Sequence, residues 1–317
     1  MSKIKTFLKL FKEDKRQLYI AIYNNIVHLG ITNILPDKLY LKITYKIRFG
    51  EKLDFNNPKT FNQKLQWLKL YDRNPRYINM VDKILVKEYV SDIIGKEYVI
   101  PTLGVYNSFD DINFEELPDK FVIKCNHDSG SIVICNDKKK FDYIKAKKKI
   151  NKGLETDAFF WGREWPYKNV KPKIIVEKYM STEEQKELLD YKFFCFNGEP
   201  KFLYVSEGLS NHSTATISFA DMNYELTKFH RKDYKPFEKL PPKPKNFEEM
   251  KELARKLSKD IPFLRVDLYE IEGKIYFGEL TFYPASGYLP FEPEEYDKFL
   301  GDMLELPKEK IEEKNEK

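Results

Sequence analysis

The feature that most constrains the fold of this chain is a pair of β-rich segments near its C-terminal end. The segments cover residues 263–270 and 274–281, and the short connection between them contains Gly273, which a tight hairpin turn favours. The alternation of side chains in such a hairpin brings Glu279 close to Asp267. Two carboxylates this close repel each other unless a cation lies between them, and their oxygens suit Mg²⁺ carried by substrate phosphates. The hairpin therefore predicts a metal-nucleotide site, and a surface hairpin with solvated acids is the alternative.

The composition narrows the class of protein. The 317 residues are 42% hydrophobic and 33% charged, which allows one large domain or two to three small ones with a sizeable core. The net charge of +5 is modest, so the chain is not expected to bind nucleic acid. Three cysteines without CxxC spacing argue against a disulfide framework and a zinc site, and indicate a cytoplasmic protein. Neither a membrane-spanning run nor a signal peptide is expected.

Changes in residue composition and in the pattern of apolar residues along the chain predict five parts. They are an N-terminal helical segment (1–50), a small α/β unit (51–118), a strand-rich unit with a glycine-containing loop (119–180), an antiparallel unit (181–306) and a charged tail (307–317). The tail is expected to be frayed or solvated. Lysines alternate with apolar residues in the first helix. Such a basic amphipathic helix either lies on an anionic membrane surface or packs on its own domain, and the sequence leaves both open.

Several local signals place elements within these parts. Thr60 and Gln63 form a capping box that begins a helix, and Asn246 begins a second helix in the same manner. Residues 98–101 read as a short strand that ends at a proline. The Asn-Gly pair at 197–198 is a strong signal for a hairpin turn. Together these signals predict helices covering an antiparallel sheet.

Lysines in strand positions are the next informative feature. Lys124 and Lys192 lie in predicted strands, where lysine is disfavoured unless it meets a partner or an anion. The loop after Lys124 ends in small residues around Gly130, as expected where backbone N–H groups approach an anion. The chain has neither a Walker A motif nor a GxGxxG pattern, so those two phosphate sites are not supported.

The order of these residues resembles the ATP-grasp superfamily. More closely, several segments resemble the TupA-like ATP-grasp family of surface-polysaccharide gene clusters, and they are residues 57–68, 121–130, 190–193, 265–269 and 277–282. The resemblance covers roughly residues 50 to 300. It implies an α+β fold of the ATP-grasp type, in which two α+β subdomains hold ATP in a cleft, preceded by N-terminal helices.

The resemblance also implies a set of site residues. The implied phosphate ligands are Lys83, Lys124 and Lys192. The implied flap over the phosphates comprises His127, Ser129, Gly130 and Ser131, although a lone loop histidine is more often uncommitted. The implied adenine and ribose contacts are Glu177, Tyr179 and Glu184. The implied metal ligands are Asp267, Glu279 and Thr281, and the implied catalytic residues are Arg265 and Lys192. Many relatives have asparagine where this chain has Thr281, a weaker ligand, so one or two Mg²⁺ ions remain open.

The function implied by the resemblance is an ATP- and Mg²⁺-dependent carboxylate-amine ligase that acts through an acyl-phosphate. Its implied substrates are an amino acid or small amine and a uronic acid of a capsular or related surface polysaccharide or its precursor. The protein would be cytoplasmic or peripheral at the inner membrane face. A kinase on the same fold, a glycosyltransferase, which would not need the strand lysines, and a non-catalytic carbohydrate-binding protein are the alternatives.

Overall fold

A computed structural model describes residues 15–180, 188–208 and 215–312. The basic stretch at the start of the first predicted helix and Glu184 lie outside the described residues. The helices are α1 (Lys15–His28), α2 (Asp37–Phe49), α3 (Phe61–Tyr71), α4 (Arg76–Val81), α5 (Val86–Ile94), α6 (Tyr143–Leu154), α7 (Ala158–Gly162), α8 (Phe247–Ser258) and α9 (Glu295–Met303). Short 3₁₀ helices cover Ile31–Ile34, Lys96–Tyr98, Phe109–Asp111, Lys138–Lys140, Trp165–Tyr167 and Pro284–Gly287. None of the helices within the described residues is both long and apolar enough to cross a membrane.

The strands form two main antiparallel sheets. They are β1 (Thr102–Tyr106), β2 (Phe121–Cys125), β3 (Ile132–Cys135), β4 (Ile174–Lys178), β5 (Asp190–Phe196), β6 (Glu199–Glu207), β7 (Thr216–Asp221), β8 (His230–Arg231), β9 (Phe263–Ile271), β10 (Lys274–Thr281) and β11 (Phe291–Glu292). The first sheet has the order β1-β4-β2-β3 and the second has the order β10-β9-β5-β6-β7, while β8 and β11 pair separately. This mixture of helices and antiparallel sheets confirms the predicted α+β class.

The predicted C-terminal hairpin is confirmed as β9 and β10. Glu272 and Gly273 both have positive φ angles, 52° and 72°, which is the signature of a two-residue type I′ turn. The register pairs Asp267 with Glu279, as the sequence predicts, with an irregularity between Phe277 and Glu279. The two carboxylates therefore belong to adjacent positions on neighbouring strands.

Aromatic side chains dominate the core beneath the second sheet. Phe193, Phe194 and Phe196 of β5 are at most 1% exposed, and burying each contributes about 1.5–3 kcal/mol. Phe61 at the start of α3 packs edge-on against Phe263 of β9, with ring centroids 4.9 Å apart. Helix α3 is thereby fixed against the sheet that carries Asp267 and Glu279, two of the predicted metal ligands.

The two predicted helix starts differ in how they are capped. At α3 the capping box is confirmed, because Thr60 Oγ1 accepts from the Gln63 backbone N–H and Gln63 Oε1 accepts from the Thr60 backbone N–H. At α8 the helix is confirmed but the side-chain cap is wrong. Asn246 Nδ2 instead donates to the Gly273 carbonyl oxygen at 2.7 Å, and its backbone N–H donates to Glu270. The asparagine thus joins the helix start to the β9–β10 turn.

Two further predictions need correction. Residues 98–101 do not form a strand, because Val99 makes a single bridge to Phe277 and regular pairing starts only after the proline, at Thr102. In the tail, Ile311 is tied to the body by backbone hydrogen bonds with Tyr71 and Arg73, both 2.9 Å long. The five-part division stays a prediction, although β1 from the second predicted part pairs with β4 from the third.

Helix α9 approaches the start of α3 closely at Gly301. A β-carbon at this position would lie 2.3 Å from the Lys59 carbonyl oxygen and 2.8 Å from the Phe61 backbone nitrogen. We expect Gly301→Ala to lower the free energy of unfolding by about 1–3 kcal/mol, because two backbone segments would have to separate. Urea denaturation measures this, with Asp302→Ala on the exposed side of α9 as the control. Equal stability of the two variants would contradict the close approach.

Candidate active site

A cleft of about 210 Å³ opens between the two main sheets. The first sheet contributes Lys124 and Glu177, and the second contributes Tyr269 and Glu279. The remaining polar lining comes from the segment before α5, from α5 itself and from the glycine-containing loop: Lys83, Lys87, Asp128, Ser129, Gly130 and Ser131. The structure thus brings most of the predicted phosphate-binding residues and one predicted metal ligand to a single cleft.

Glu177 is the centre of the first wall. It is buried on β4, and its two carboxylate oxygens contact Lys87 Nζ at 2.5 Å and Lys124 Nζ at 2.6 Å. Burial by itself raises the pKa of this carboxyl group, but the two ammonium groups outweigh burial and hold the pKa below its usual value. Burial lowers the pKa of Lys87, and Glu177 offsets part of that change. The trio is a compact ion cluster in which two lysines share one carboxylate.

The adenine contact that the resemblance implies for Glu177 stays a prediction. The arrangement itself shows both carboxylate oxygens bonded to lysines. It also identifies Lys87, which the sequence interpretation misses because a lysine on a short amphipathic helix is normally solvated. The sequence feature that indicates such a lysine is Glu177 itself, since a carboxylate at the end of an apolar strand requires a cationic partner.

The glycine-containing loop is anchored at its base. Asn126 is fully buried, its Nδ2 donates to Asp82 Oδ2 at 2.9 Å, and its Oδ1 accepts from the Lys173 backbone N–H at 2.7 Å. Lys83 Nζ donates to the Asp128 carbonyl oxygen. Burial lowers the pKa of Lys83, and Glu279 and Asp128 offset part of the change. The loop base is therefore rigid.

The tip of the loop faces the open cleft. Ser129 and Gly130 are exposed, and Gly130 has a φ of 104°, a conformation that favours glycine. Ser131 Oγ donates to Asp128 Oδ2. The second oxygen, Asp128 Oδ1, is buried without a hydrogen-bond partner among the described residues. An exposed tip on an anchored base is the arrangement expected of a flap.

Three of the predicted nucleotide contacts that the structure describes do not line the cleft, and they are Lys192 on β5, His127 and Tyr179. His127 is buried, its Nε2 lies 2.9 Å from the Thr156 carbonyl oxygen, and its Nδ1 lies 3.3 Å from Asn126 Oδ1. Its ring therefore supports the loop base, and its implied role towards phosphate stays a prediction. Tyr179 follows β4 in a half-buried position outside the cleft lining.

A compact ion cluster lies on the second sheet. Asp267 is 1% exposed, and Arg265 contacts both of its oxygens at 2.7 Å, through Nε to Oδ1 and Nη2 to Oδ2. Lys192 Nζ also contacts Asp267 Oδ2 at 2.7 Å. Burial raises the pKa of the Asp267 carboxyl group, but the guanidinium and ammonium groups outweigh it and hold the pKa low. The pKa of Lys192 is raised well above its usual value because its carboxylate neighbours outweigh burial.

The predicted metal ligands are adjacent but differ in what they already bind. Asp267 is held by two cations, whereas Glu279 is exposed and accepts from Thr281 Oγ1 at 3.3 Å. Among the described residues there is no group of three or more histidine, cysteine, aspartate or glutamate side chains that could hold a metal alone. A carboxylate has about four lone-pair sites, so Asp267 keeps acceptor capacity. The pair therefore fits Mg²⁺ that brings phosphate and water oxygens as its other ligands.

The profile of the TupA-like ATPgrasp family matches residues 63–305, which is most of the chain. The chain belongs to the TupA-like ATP-grasp family. The predicted ATP-grasp fold and the recognition from sequence are thereby confirmed. No curated protein sequence matches the chain.

Solved structures with a related fold are distant from this family member. The D-alanine–D-alanine ligase from Helicobacter pylori is 17% identical over 78% of this chain and 70% of the ligase, with a TM-score of 0.41. The D-alanine–D-alanine ligase from Bacillus anthracis is 18% identical over 64% of this chain, with a TM-score of 0.36, and the chain spans 56% of that ligase's length. A RimK domain ATP-grasp protein from Sphaerobacter thermophilus is 12% identical over 71% of this chain and 67% of that protein, with a TM-score of 0.37.

The family segment at 57–68 continues into an unexpected clamp. Asn62, Gln66 and Lys69 lie on one side of α3 and bind the backbone just beyond β10. Asn62 exchanges two hydrogen bonds with the backbone of Leu289, 2.8 and 2.9 Å long, and Gln66 Nε2 donates to the Gly287 carbonyl oxygen at 2.7 Å. These residues were not predicted as functional. Helix α3 therefore fixes the segment that directly follows β10, the strand that carries Glu279. We call this segment the post-β10 loop (residues 282–289).

Lys69 completes the clamp with a buried cation. Its Nζ donates to the carbonyl oxygens of Gly162 at 2.7 Å and Ser286 at 2.8 Å, and to Ser286 Oγ at 3.1 Å. Burial lowers the pKa of Lys69 to about 7, and Glu164 offsets part of the change. Ala285 and Ser286 have left-handed φ angles of 48° and 53°, which are uncommon outside glycine and cluster at functional sites. The clamp holds this strained backbone in place.

The buried lysine gives a pH-dependent stability. An unfolded lysine titrates near about 10.4, so between pH 7 and that value the unfolded state binds more protons than the native state. The free energy of unfolding therefore rises with pH across this window, and Lys69→Met should remove that rise. We expect the difference between wild type and variant to change, in favour of wild type, by up to about 1.4 kcal/mol per pH unit between pH 7 and 9. Parallel stability curves in urea titrations would contradict the lowered pKa.

Proposed function

We propose that the protein is an ATP- and Mg²⁺-dependent carboxylate-amine ligase. It joins an amino acid or small amine to the carboxylate of a uronic acid in a surface polysaccharide or its precursor. The observation that carries the proposal is a cleft with cations on one wall and a metal-type carboxylate on the other, in a member of the TupA-like ATP-grasp family. The saccharide part rests on the family resemblance to surface-polysaccharide gene clusters.

The first wall suits a polyphosphate. Lys87 and Lys124 each contact one oxygen of the Glu177 carboxylate. Each ammonium group therefore keeps N–H bonds that can donate to phosphate oxygens. Lys83 stands at the loop base, and the exposed tip at Ser129 and Gly130 offers backbone N–H groups. Glu177 holds both lysine side chains in position before the nucleotide arrives. This wall would bind ATP and orient its γ-phosphate towards the second sheet.

The second wall suits the reacting carboxylate. In the proposed first step, a carboxylate oxygen of the uronic acid attacks the γ-phosphorus of ATP, the bond to the β-γ bridging oxygen breaks, and ADP leaves. Arg265 and Lys192 lie beside this region and can offset the negative charge that develops on the phosphoryl oxygens. Mg²⁺ bound by Asp267 and Glu279 would supply further neutralisation of phosphate charge. Thr281 would orient Glu279 through their hydrogen bond.

The second step forms the amide. The neutral amine attacks the acyl carbon, the carbon-oxygen bond to phosphate breaks, and inorganic phosphate leaves and takes up the proton that the nitrogen loses. Glu164 and Tyr167 lie near this region, since both interact electrostatically with Glu279 and Arg265. Burial raises the pKa of Glu164, and Lys69 offsets part of the rise. The post-β10 loop would border the same space.

The test uses the full-length protein, ATP and Mg²⁺, and a panel of uronic acids with and without amines. ADP release that requires both a uronic acid and an amine, with one phosphate released for each ADP, supports the ligase. ADP release with a uronic acid alone and a stable phosphorylated sugar would support a kinase. Thermal stabilisation by Mg²⁺-UDP-sugars and none by Mg²⁺-ATP would refute ATP-dependent chemistry and favour a glycosyltransferase. Glu279→Gln serves as the matched inactive variant, because its side chain is exposed and its loss does not disturb the core.

A further inference from the structure

The positive charge of this protein is concentrated in one segment. Residues 138–152 contain eight lysines and one acid, Asp142, a net charge of +7, whereas the whole chain carries +5. The rest of the chain is therefore net negative. The segment includes α6, which packs its small inner face, Ala146, Ile150 and Gly153, beneath the first sheet. Its outer face is free for another role.

Four of these lysines form a stripe along the outer face of α6. Lys145, Lys148, Lys149 and Lys152 follow i, i+3, i+4, i+7 spacing and are all exposed. Like charges at these spacings destabilise a helix by about 0.2–0.5 kcal/mol per pair. None of the four forms an ion pair with any residue that the structure describes. The nearby acids are otherwise engaged: Asp110 pairs with Lys147, Asp137 pairs with Lys140, and Asp142 caps α6.

Apolar side chains stand exposed beside the stripe. Ile144 is 86% exposed in the first turn of α6, next to Lys145 and one turn from Lys148. Tyr143 is 40% exposed, and Ile134 on the neighbouring edge strand β3 is 53% exposed. A surface that binds a soluble polyanion through charge alone would not need exposed apolar side chains. A bilayer interface accepts both kinds of group, since lysines meet anionic headgroups and apolar side chains enter the acyl boundary.

The surface also contains a concave part. A groove of about 270 Å³ runs between β3 and α6, with Lys140, Lys145 and Lys149 among its lining residues and an apolar floor from β3. Ile132 lines both this groove and the candidate active-site cleft. The groove therefore lies directly beside the loop that covers the cleft.

We infer that the outer face of α6, with Ile144, Tyr143 and the adjoining groove, docks the protein on an anionic lipid bilayer. The stripe supplies the attraction to headgroups and Ile144 enters the interface. The cleft then opens next to the membrane surface, where a lipid-linked substrate would be presented. This inference does not depend on the proposed chemistry. It also differs from the membrane contact that the sequence leaves open, which would use the first helices of the chain.

The experiment is flotation of the full-length protein with vesicles of phosphatidylglycerol and phosphatidylcholine, compared with phosphatidylcholine alone. The test variant carries Lys145→Gln, Lys148→Gln, Lys149→Gln and Lys152→Gln. We expect its partition coefficient to fall at least about 100-fold on anionic vesicles, since one lysine near such a surface contributes about fivefold. The matched control replaces four other exposed lysines, Lys228, Lys232, Lys235 and Lys239, by glutamine and should change binding less than about threefold.

A second variant separates the bilayer from a soluble polyanion. Ile144→Ser should weaken vesicle binding about three- to tenfold and leave binding of dextran sulfate unchanged, because only a bilayer accepts the side chain. Vesicle binding that survives all four lysine replacements would overturn the proposal. So would an Ile144→Ser variant with full vesicle binding together with dextran sulfate binding that depends on the same four lysines, because that result identifies a polyanion surface.

Discussion

Replacing Lys124 by methionine is expected to raise the dissociation constant of Mg²⁺-ATP by about 10- to 100-fold, because a hydrogen-bonded charge contact with phosphate is lost. With an acceptor in hand, kcat should also fall by about 10²–10³-fold, the usual cost of removing one group that stabilises transition-state charge. The fold should persist, since Lys87 continues to pair with Glu177. Isothermal titration calorimetry measures the first effect and ADP release the second.

The matched control for Lys124→Met is Lys120→Met, which removes an exposed lysine just before the same strand. It should leave ATP binding within about twofold of wild type, in line with the small effect of exposed charges. If the two variants bind ATP equally well, Lys124 has no phosphate to contact and the first wall is a structural ion cluster. A loss of thermal stability confined to Lys124→Met would point to the same conclusion.

Asp267→Asn is expected to lower the free energy of unfolding by about 3–5 kcal/mol, because it leaves two buried cations without their shared carboxylate. Arg265 contacts both oxygens of Asp267, and Lys192 contacts one of them. Asparagine has the same shape, so the loss reports charge rather than packing. Urea denaturation at neutral pH, where the low pKa keeps the carboxyl group ionised, measures the change.

Glu279→Gln provides the contrast for Asp267→Asn. Glu279 lies opposite Asp267 on β10, is exposed, and contacts only the weakly bonded Thr281 hydroxyl among the described residues. We expect its replacement to change the free energy of unfolding by less than about 0.5 kcal/mol while it abolishes Mg²⁺-dependent ATP turnover. A stability loss for Asp267→Asn that is as small as the loss for Glu279→Gln would show that the ion cluster contributes less to stability than its burial indicates.

The sequence predicted the features that local rules determine. The hairpin β9–β10, its turn at Gly273 and the pairing of Asp267 with Glu279 all follow from alternation and turn chemistry, and they were found as predicted. The α3 capping box was likewise found, because it involves residues three positions apart. The position of Lys124 at the cleft followed from the cost of a lysine in a strand without a partner.

The remaining features depend on contacts between distant parts of the chain. Nothing near Glu177 in sequence indicates that Lys87, some ninety residues earlier, will pair with it. His127 lies in a segment that has the composition of a phosphate-binding loop. Its ring nevertheless points inward, and its Nε2 contacts the Thr156 carbonyl oxygen. Asn62 reaches Leu289, more than two hundred residues away. Periodicity identifies the faces of an element but not the backbone atoms that a polar side chain will meet.

The clamp on the post-β10 loop has a consequence for how this family can diversify. Asn62, Gln66 and Lys69 bind almost entirely to main-chain atoms, and Ser286 Oγ is the exception. Main-chain atoms are the same whatever side chain a position carries. The side chains of Ala285 and Ser286, the two positions of the loop that are not buried, can therefore change while the main-chain anchoring stays intact. Such a separation between what holds the loop and what the loop presents would let acceptor preference evolve without a redesign of the catalytic frame.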